Sequence, residues 1–205
     1  MVKFNVTIPG APQSSIGDSQ LSISNGGIIV FHGPCEIATA NRINVGPYGC
    51  LNIGKYVKIM HFCNITAYTK VIIGDYSWIA HRCQVLDTNF HFIADYNTGT
   101  IPNMSRPIKI GAHCWICNNT SIAAGAIIPD KIIVASNSLV NKDMSEIPAG
   151  SLIGGVPAKF IKSGYVRVDK TAISQDLWMH YVVNGYDTVY KLPPSATIKF
   201  VEADY

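Results

Sequence analysis

The chain has 205 residues, 48% of them hydrophobic and only 14% charged, with a formal net charge of +3. That length and apolar content suit one sizeable core rather than two. Without a dense Lys/Arg run, nucleic acid is not the expected partner, and no segment reaches the length of a membrane span. So sparsely charged a surface points to self-association.

The N-terminal stretch alternates polar and apolar residues and lacks the uninterrupted apolar run of a signal peptide, so a cytoplasmic location is expected. Residues 3–8 (KFNVTI) read as a strand and residues 9–20 as turns, together forming a cap over 1–27. From residue 28 the chain reads as a β-solenoid extending to residue 163. Ile110, Ile116, Ile122, Ile128, Val134 and Val140 recur at a spacing of six, which is neither the helical period of 3.6 nor the strand period of two. A short strand plus a corner satisfies it, with three such sides stacking each coil on the one below.

Small residues are expected at the inner corners. Cys114, Thr120, Ala126 and Ser138 meet that need four residues after an aliphatic position, with Ile132 and Met144 as larger exceptions. An earlier block places Ile53, Ile59 and Ile65 in one frame and Ile73, Ile79 and Val85 in another, with Val57, Cys63, Thr69, Ser77 and Cys83 at corners. The shift between the frames reads as a longer corner from which Val71 is squeezed out. A weaker stretch contains Ile37 and Ile43. Six cysteines in such a chain argue for reduced thiols, and the Cys114/Cys117 pair has no second pair at zinc-site spacing.

Between Val85 and Ile110 the repeat is interrupted by a polar, aromatic-bearing excursion, residues 87–107, of the length and placement that tend to carry function. The stack ends near Val140, and residues 143–162 form a last irregular coil. In the extension, 164–205, a helix is predicted over 176–184 and a strand over 197–202. Trp178, Tyr181, Tyr186 and Tyr190 are expected to dock on their own protein rather than on sugar.

The segments RPIKIGAHCWICNNTSIAAGAII and VNKDMSEIPAGSLIGGVPAKFIK resemble the hexapeptide-repeat acyltransferases, closest to the sugar and polysaccharide O-acetyltransferases, over roughly residues 50 to 163. The resemblance implies a left-handed parallel β-helix, acetyl-CoA as acetyl donor, no metal, and a homotrimer with active sites between subunits. It identifies Asp87-Thr88-Asn89-Phe90-His91 with the family's catalytic loop and His91 with its general base. Histidine is suited to that work because it titrates near neutrality. Asp87 or Asn89 would orient the imidazole, though Asp87 equally suits a turn former.

The resemblance further assigns Lys159, in GGVPAK, to the 3′-phosphate of CoA, with Lys142 as a second lysine near the nucleotide. Ala124 and Ser136 become contacts of the pantetheine arm. Trp115 either positions acetyl-CoA or packs at a subunit interface. Arg82 and Asn89 fall in the acceptor pocket, while Arg106 either binds an acidic acceptor or anchors the loop. The expected reaction is acetyl transfer to a sugar hydroxyl of a surface polysaccharide or its precursor. The alternatives are N-acetylation of a nucleotide-linked amino sugar, a γ-class carbonic anhydrase using His81 and His113, and a non-catalytic scaffold.

Overall fold

The computed structural model describes residues 1–4, 17–169 and 171–192. It divides into two compact units, Met1–Tyr165 and Val166–Tyr205. The first is a three-sided left-handed parallel β-helix. One face has eight strands, beginning with Val2–Phe4, Cys35–Ile37, Val57–Ile59 and Trp78–Ile79, and continuing through Trp115–Ile116, Ile133–Val134, Ser151–Gly154 and Lys159–Ser163. The second runs from Gln20–Ile23 through Arg42–Val45, Asn64–Ala67, Gln84–Leu86 and Ser121–Ala123 to Leu139–Val140. The third stacks Ile28–Phe31, Cys50–Ile53, Lys70–Ile73, Ile108–Ile110 and Ile127–Ile128.

The hexad residues fall where the period requires: Ile110, Ile116, Ile122, Ile128, Val134 and Val140 are all buried, two on each face. Stacked β-branched residues pack against one another between coils, as strand geometry favours. The corner residues Cys114, Thr120, Ala126, Ile132, Ser138 and Met144 are buried beside them. Gly74 and Gly111 stack where coils approach closely: a Cβ on Gly74 would come within 2.5 Å of the Gly111 carbonyl carbon.

Coil length tapers along the stack. Equivalent residues Thr39 and His61 are 22 apart, Lys55 and Asp75 are 20 apart, and Ala112 and Asp130 are 18 apart. The longer coils have four-residue strands such as Lys70–Ile73, in which two side chains point inward. This corrects the expectation for Val71. It is fully buried and in register with Leu51 and Ile108, so the frame shift comes from a longer strand, not a longer corner. The weaker stretch is equally well stacked, Ile37 and Ile43 both being buried.

Two corners turn through non-glycine residues at positive φ. Tyr56, Tyr76, His113 and Lys131 form one column, and Ala40, Phe62, Arg82, Asn119 and Asn137 another, at φ of 56° to 63°. That conformation is costly for L-residues with bulky side chains. All of these but Ala40 donate a backbone bond to the preceding coil, for example Tyr76 N–H to Lys55 O and Arg82 N–H to His61 O. Side chains continue the ladder, with Tyr56 on Tyr76, Tyr76 on His113, and His61 on His81 in near-parallel stacks.

The stack starts earlier than the sequence suggests, since Gln20–Ile23 pairs in parallel with Arg42–Val45. Residues 5–16, which contain most of the N-terminal strand and turn expectation, lie outside the described residues. In the second unit the helix spans Thr171–Trp178 and continues as a π-helical turn, Met179–Val183, capped by Asn184. It therefore starts before the predicted 176. There, His180 is boxed by Tyr181, Tyr186 and Tyr190, and its Nε2 lies 2.7 Å from Thr188 O. The strand expected over 197–202 lies outside the described residues.

Candidate active site

The excursion leaves at the corner between the second and third faces and is an arm built like a hairpin. Its base is closed by an antiparallel bridge between Thr88 and Ser105, and by Asn89 N–H to Met104 O at 3.1 Å. Its tip turns at the Asp95–Thr100 bridge, where Asp95 Oδ1 accepts the N–H groups of Asn97 and Thr98. Residues 89–103 are exposed throughout, and His91 stands on the outgoing strand of the arm in solvent.

Asp87 anchors this arm from below. Its side chain is fully buried, and its carboxylate accepts Tyr68 N–H at 2.7 Å, Thr69 N–H at 2.7 Å and the Thr69 hydroxyl at 2.8 Å. A carboxylate with three donors is well satisfied, and these bonds are the strong, charge-assisted kind. Among the described residues none of its bonds goes to His91, so of its two expected roles the geometry displays the turn-forming one. Tyr68, fixed at that corner, meets Phe90 edge-on with ring centroids 5.4 Å apart. Phe90 immediately precedes His91 and sits at φ 60°, with its N–H bonded to Thr88 Oγ1. Through Tyr68 and Phe90, Asp87 sets the height and direction of the chain at His91. Sequence alone did not indicate Tyr68 or Phe90, because their contact joins separate coils. Asn89 is exposed at the arm base, beside His91.

Arg106 sits where the arm returns. Its N–H donates to Asp87 O at 2.9 Å, and its own carbonyl accepts Gly125 N–H at 3.2 Å. Lys142 lies on the coil beyond, its carbonyl accepting Ile127 N–H at 3.4 Å. The GGVPAK segment joins the same end of the solenoid, with Leu139 N–H donating to Gly155 O and Ala158 N–H to Leu139 O. Lys142 and Lys159 are thus both exposed on the final coils. Ala124 and Ser136 are separated: Ala124 is buried at the arm's corner, and Ser136 is exposed at the corner between the first and second faces.

Arg82 occupies that same other corner, its guanidinium 5.9 Å from the Phe62 ring centroid. Below it His81 stacks on His61, whose Nδ1 accepts Thr39 N–H. Burial, then the nearby His61 and Arg82 charges, hold His81 below the usual histidine range. His81 and His113 lie at different corners, so one chain does not bring the two together. Trp115 points outward from the first face, in register between Trp78 and Ile133 and 36% exposed. The thiols serve packing: Cys114 is buried and pushed up to about 12 by that burial, and Cys117, half-buried, to about 11.

No family model matches the chain. Over 87 residues it is 33% identical to WbbJ of Escherichia coli (strain K12), named as a lipopolysaccharide biosynthesis O-acetyl transferase. That match covers 35% of this chain and 43% of WbbJ, less than half the relative's length. Among solved structures, AntD of Bacillus cereus, an N-acyltransferase in complex with dTDP and 3-hydroxybutyryl-CoA, superimposes with a TM-score of 0.57. The superposition covers 82% of this chain and 86% of AntD at 15% identity, a likeness of fold. A hexapeptide-repeat acetyltransferase of Vibrio cholerae O1 biovar eltor, complexed with acetyl-CoA, is 26% identical with a TM-score of 0.46, covering 68% of this chain and 71% of that one. Repeat and coil thus give the chain the β-helix fold that it shares with AntD, and the sequence match to an O-acetyl transferase extends over less than half of that relative.

Proposed function

We propose that the protein is an acetyl-CoA-dependent O-acetyltransferase acting on a sugar hydroxyl of a surface polysaccharide or its precursor, with His91 as general base. The observation that carries this reading is the exposed histidine on an arm whose base is locked into the coil by Asp87. A general base needs access to the acceptor and a fixed approach, and this arrangement supplies both.

The chain's residues fit the donor. Lys142 and Lys159 offer two ammonium groups that pair with no carboxylate among the described residues. Gly155, exposed at φ 103°, leaves peptide groups accessible beside them. When bound, acetyl-CoA supplies an acetyl group activated as a thioester. His91 receives the acceptor proton, the lysines hold phosphate as point charges, and main-chain N–H groups of the coil steady the oxyanion.

This reading takes the working unit as a homotrimer. Trp78, Trp115, Ile133 and Leu152 project outward in one register row, and the arm exposes Phe92, Ile93, Tyr96 and Ile101. Apolar rows of that kind are usually covered.

Release of CoA thiol from acetyl-CoA over a panel of glycans and amino sugars tests the reading. Acceptor-dependent release that falls about 10²- to 10⁴-fold in His91→Ala is expected. Release on amine acceptors alone, little affected by the substitution, would assign N-acetylation instead. No release and no acetyl-CoA binding would leave a scaffold.

A further inference from the structure

We propose that Arg106 binds a carboxylate of the acceptor, making the substrate an acidic glycan. This rests on the acetyltransferase reading and specifies its acceptor.

Arg106 is fixed by main-chain bonds on both sides, to Asp87 above and Gly125 below. Its guanidinium lies flat against Gly125, where a Cβ would come within 3.1 Å of Cζ, 3.2 Å of Nε and 3.3 Å of Nη1. The glycine, at φ 85°, leaves the space in which the planar fork lies. A guanidinium fork lying open in that space suits a planar bidentate partner, and carboxylate matches it.

That partner is not supplied within the described part of the chain. Arg106 is exposed and makes no ion pair among the described residues. The aspartates of the arm and its corner are engaged elsewhere. Asp87 serves Tyr68 and Thr69, Asp95 serves the arm's tip, and Asp143 accepts Ser145 N–H. Two further cations flank that space, since Lys109 is in register with Ile127 and Lys142 bonds to the same residue from the other side. Arg106, Lys109 and Lys142 thus gather around Gly125–Ile127 with Asp143 also in register with Ile127, a local balance that stays positive and favours an anion there.

Position also fits an acceptor. His91 lies four residues along the chain from Asp87, whose carbonyl bonds Arg106. Extended backbone spans at most about 13 Å over that length. A glycan a few sugars long, held by its carboxylate on Arg106, spans that distance and so can present a hydroxyl to His91.

The test uses an oligosaccharide of hexuronic acids and its carboxyl-reduced neutral counterpart, in turnover and in equilibrium binding by calorimetry. Wild type is expected to prefer the acidic form, with Arg106→Gln raising its KM by about ten- to a hundredfold. The KM for acetyl-CoA should stay in place, and Arg106→Lys, which keeps charge without the fork, should be intermediate. Circular dichroism checks the fold of each variant. If the substitution instead raises the KM for acetyl-CoA but not for 3′-dephospho-acetyl-CoA, Arg106 serves the donor's phosphate and the proposal fails. Equal use of acidic and neutral forms by wild type also overturns it. If no acceptor is turned over, calorimetry decides separately: Arg106-dependent binding of the acidic form keeps this inference while the acetyltransferase reading falls, and its absence removes both.

Discussion

At the scale of the residue, the arrangement turns on which group a carboxylate serves. An aspartate four residues before a catalytic-type histidine invites the idea of a pair, and the structure gives Asp87 to the Tyr68–Thr69 corner instead. The two roles predict different kinetics. Acting through the corner, Asp87→Asn should lower kcat and destabilise the fold by about 2 kcal/mol, because charge-assisted bonds to buried N–H groups weaken. The midpoint of the pH–rate profile should stay at its wild-type position. A partner of the imidazole would move that midpoint, so a displaced profile would restore the pairing. Sequence could nominate Asp87 and His91 because they are near in the chain. Tyr68 and Gly125 were beyond it, because their importance comes from what the neighbouring coil lays against them.

Among the elements, the hexad period made the inward columns legible before any coordinates, from Ile110 to Val140. The period reports strands and corners, but not how many residues each strand contributes. Val71 was misplaced for that reason: a coil lengthened by two residues keeps alternation within the strand and breaks the count of six. The corner columns were likewise hidden, since Phe62, Arg82 and Asn119 share no chemical type, only a backbone conformation. One of these corners links stability to pH. His81 is held below the usual histidine range in the fold, chiefly by burial. The unfolded chain therefore takes up its proton first as pH falls, and stability should decline from about pH 6.5 downward until His81 also protonates in the fold. Thermal melts between pH 7.5 and 5 should show that slope, and His81→Asn should flatten it. An unchanged slope would assign the acid sensitivity elsewhere.

For the whole molecule, the arm and the stack are separable. Chain ladders close beneath the arm at Thr88 and Ser105 and continue unbroken from Asp87 to Arg106. Replacing residues 89–104 by a short glycine-containing turn should therefore abolish acetyl transfer while costing no more than about 1 kcal/mol of stability. Light scattering should give a three-chain mass for the wild type, and the same measurement on the armless variant shows whether the arm helps hold the copies together. A large drop in melting temperature would mean that the arm is part of the core. The last described strand, Lys159–Ser163, runs antiparallel to Ser151–Gly154, unlike the other neighbours on its face. A parallel stack is a template that could in principle add rung after rung from other molecules. Reversing direction, with lysines at Lys159 and Lys162 on an exposed strand, spoils that template at this end. The turn-back thus gives a unit built like a fibre a finite length.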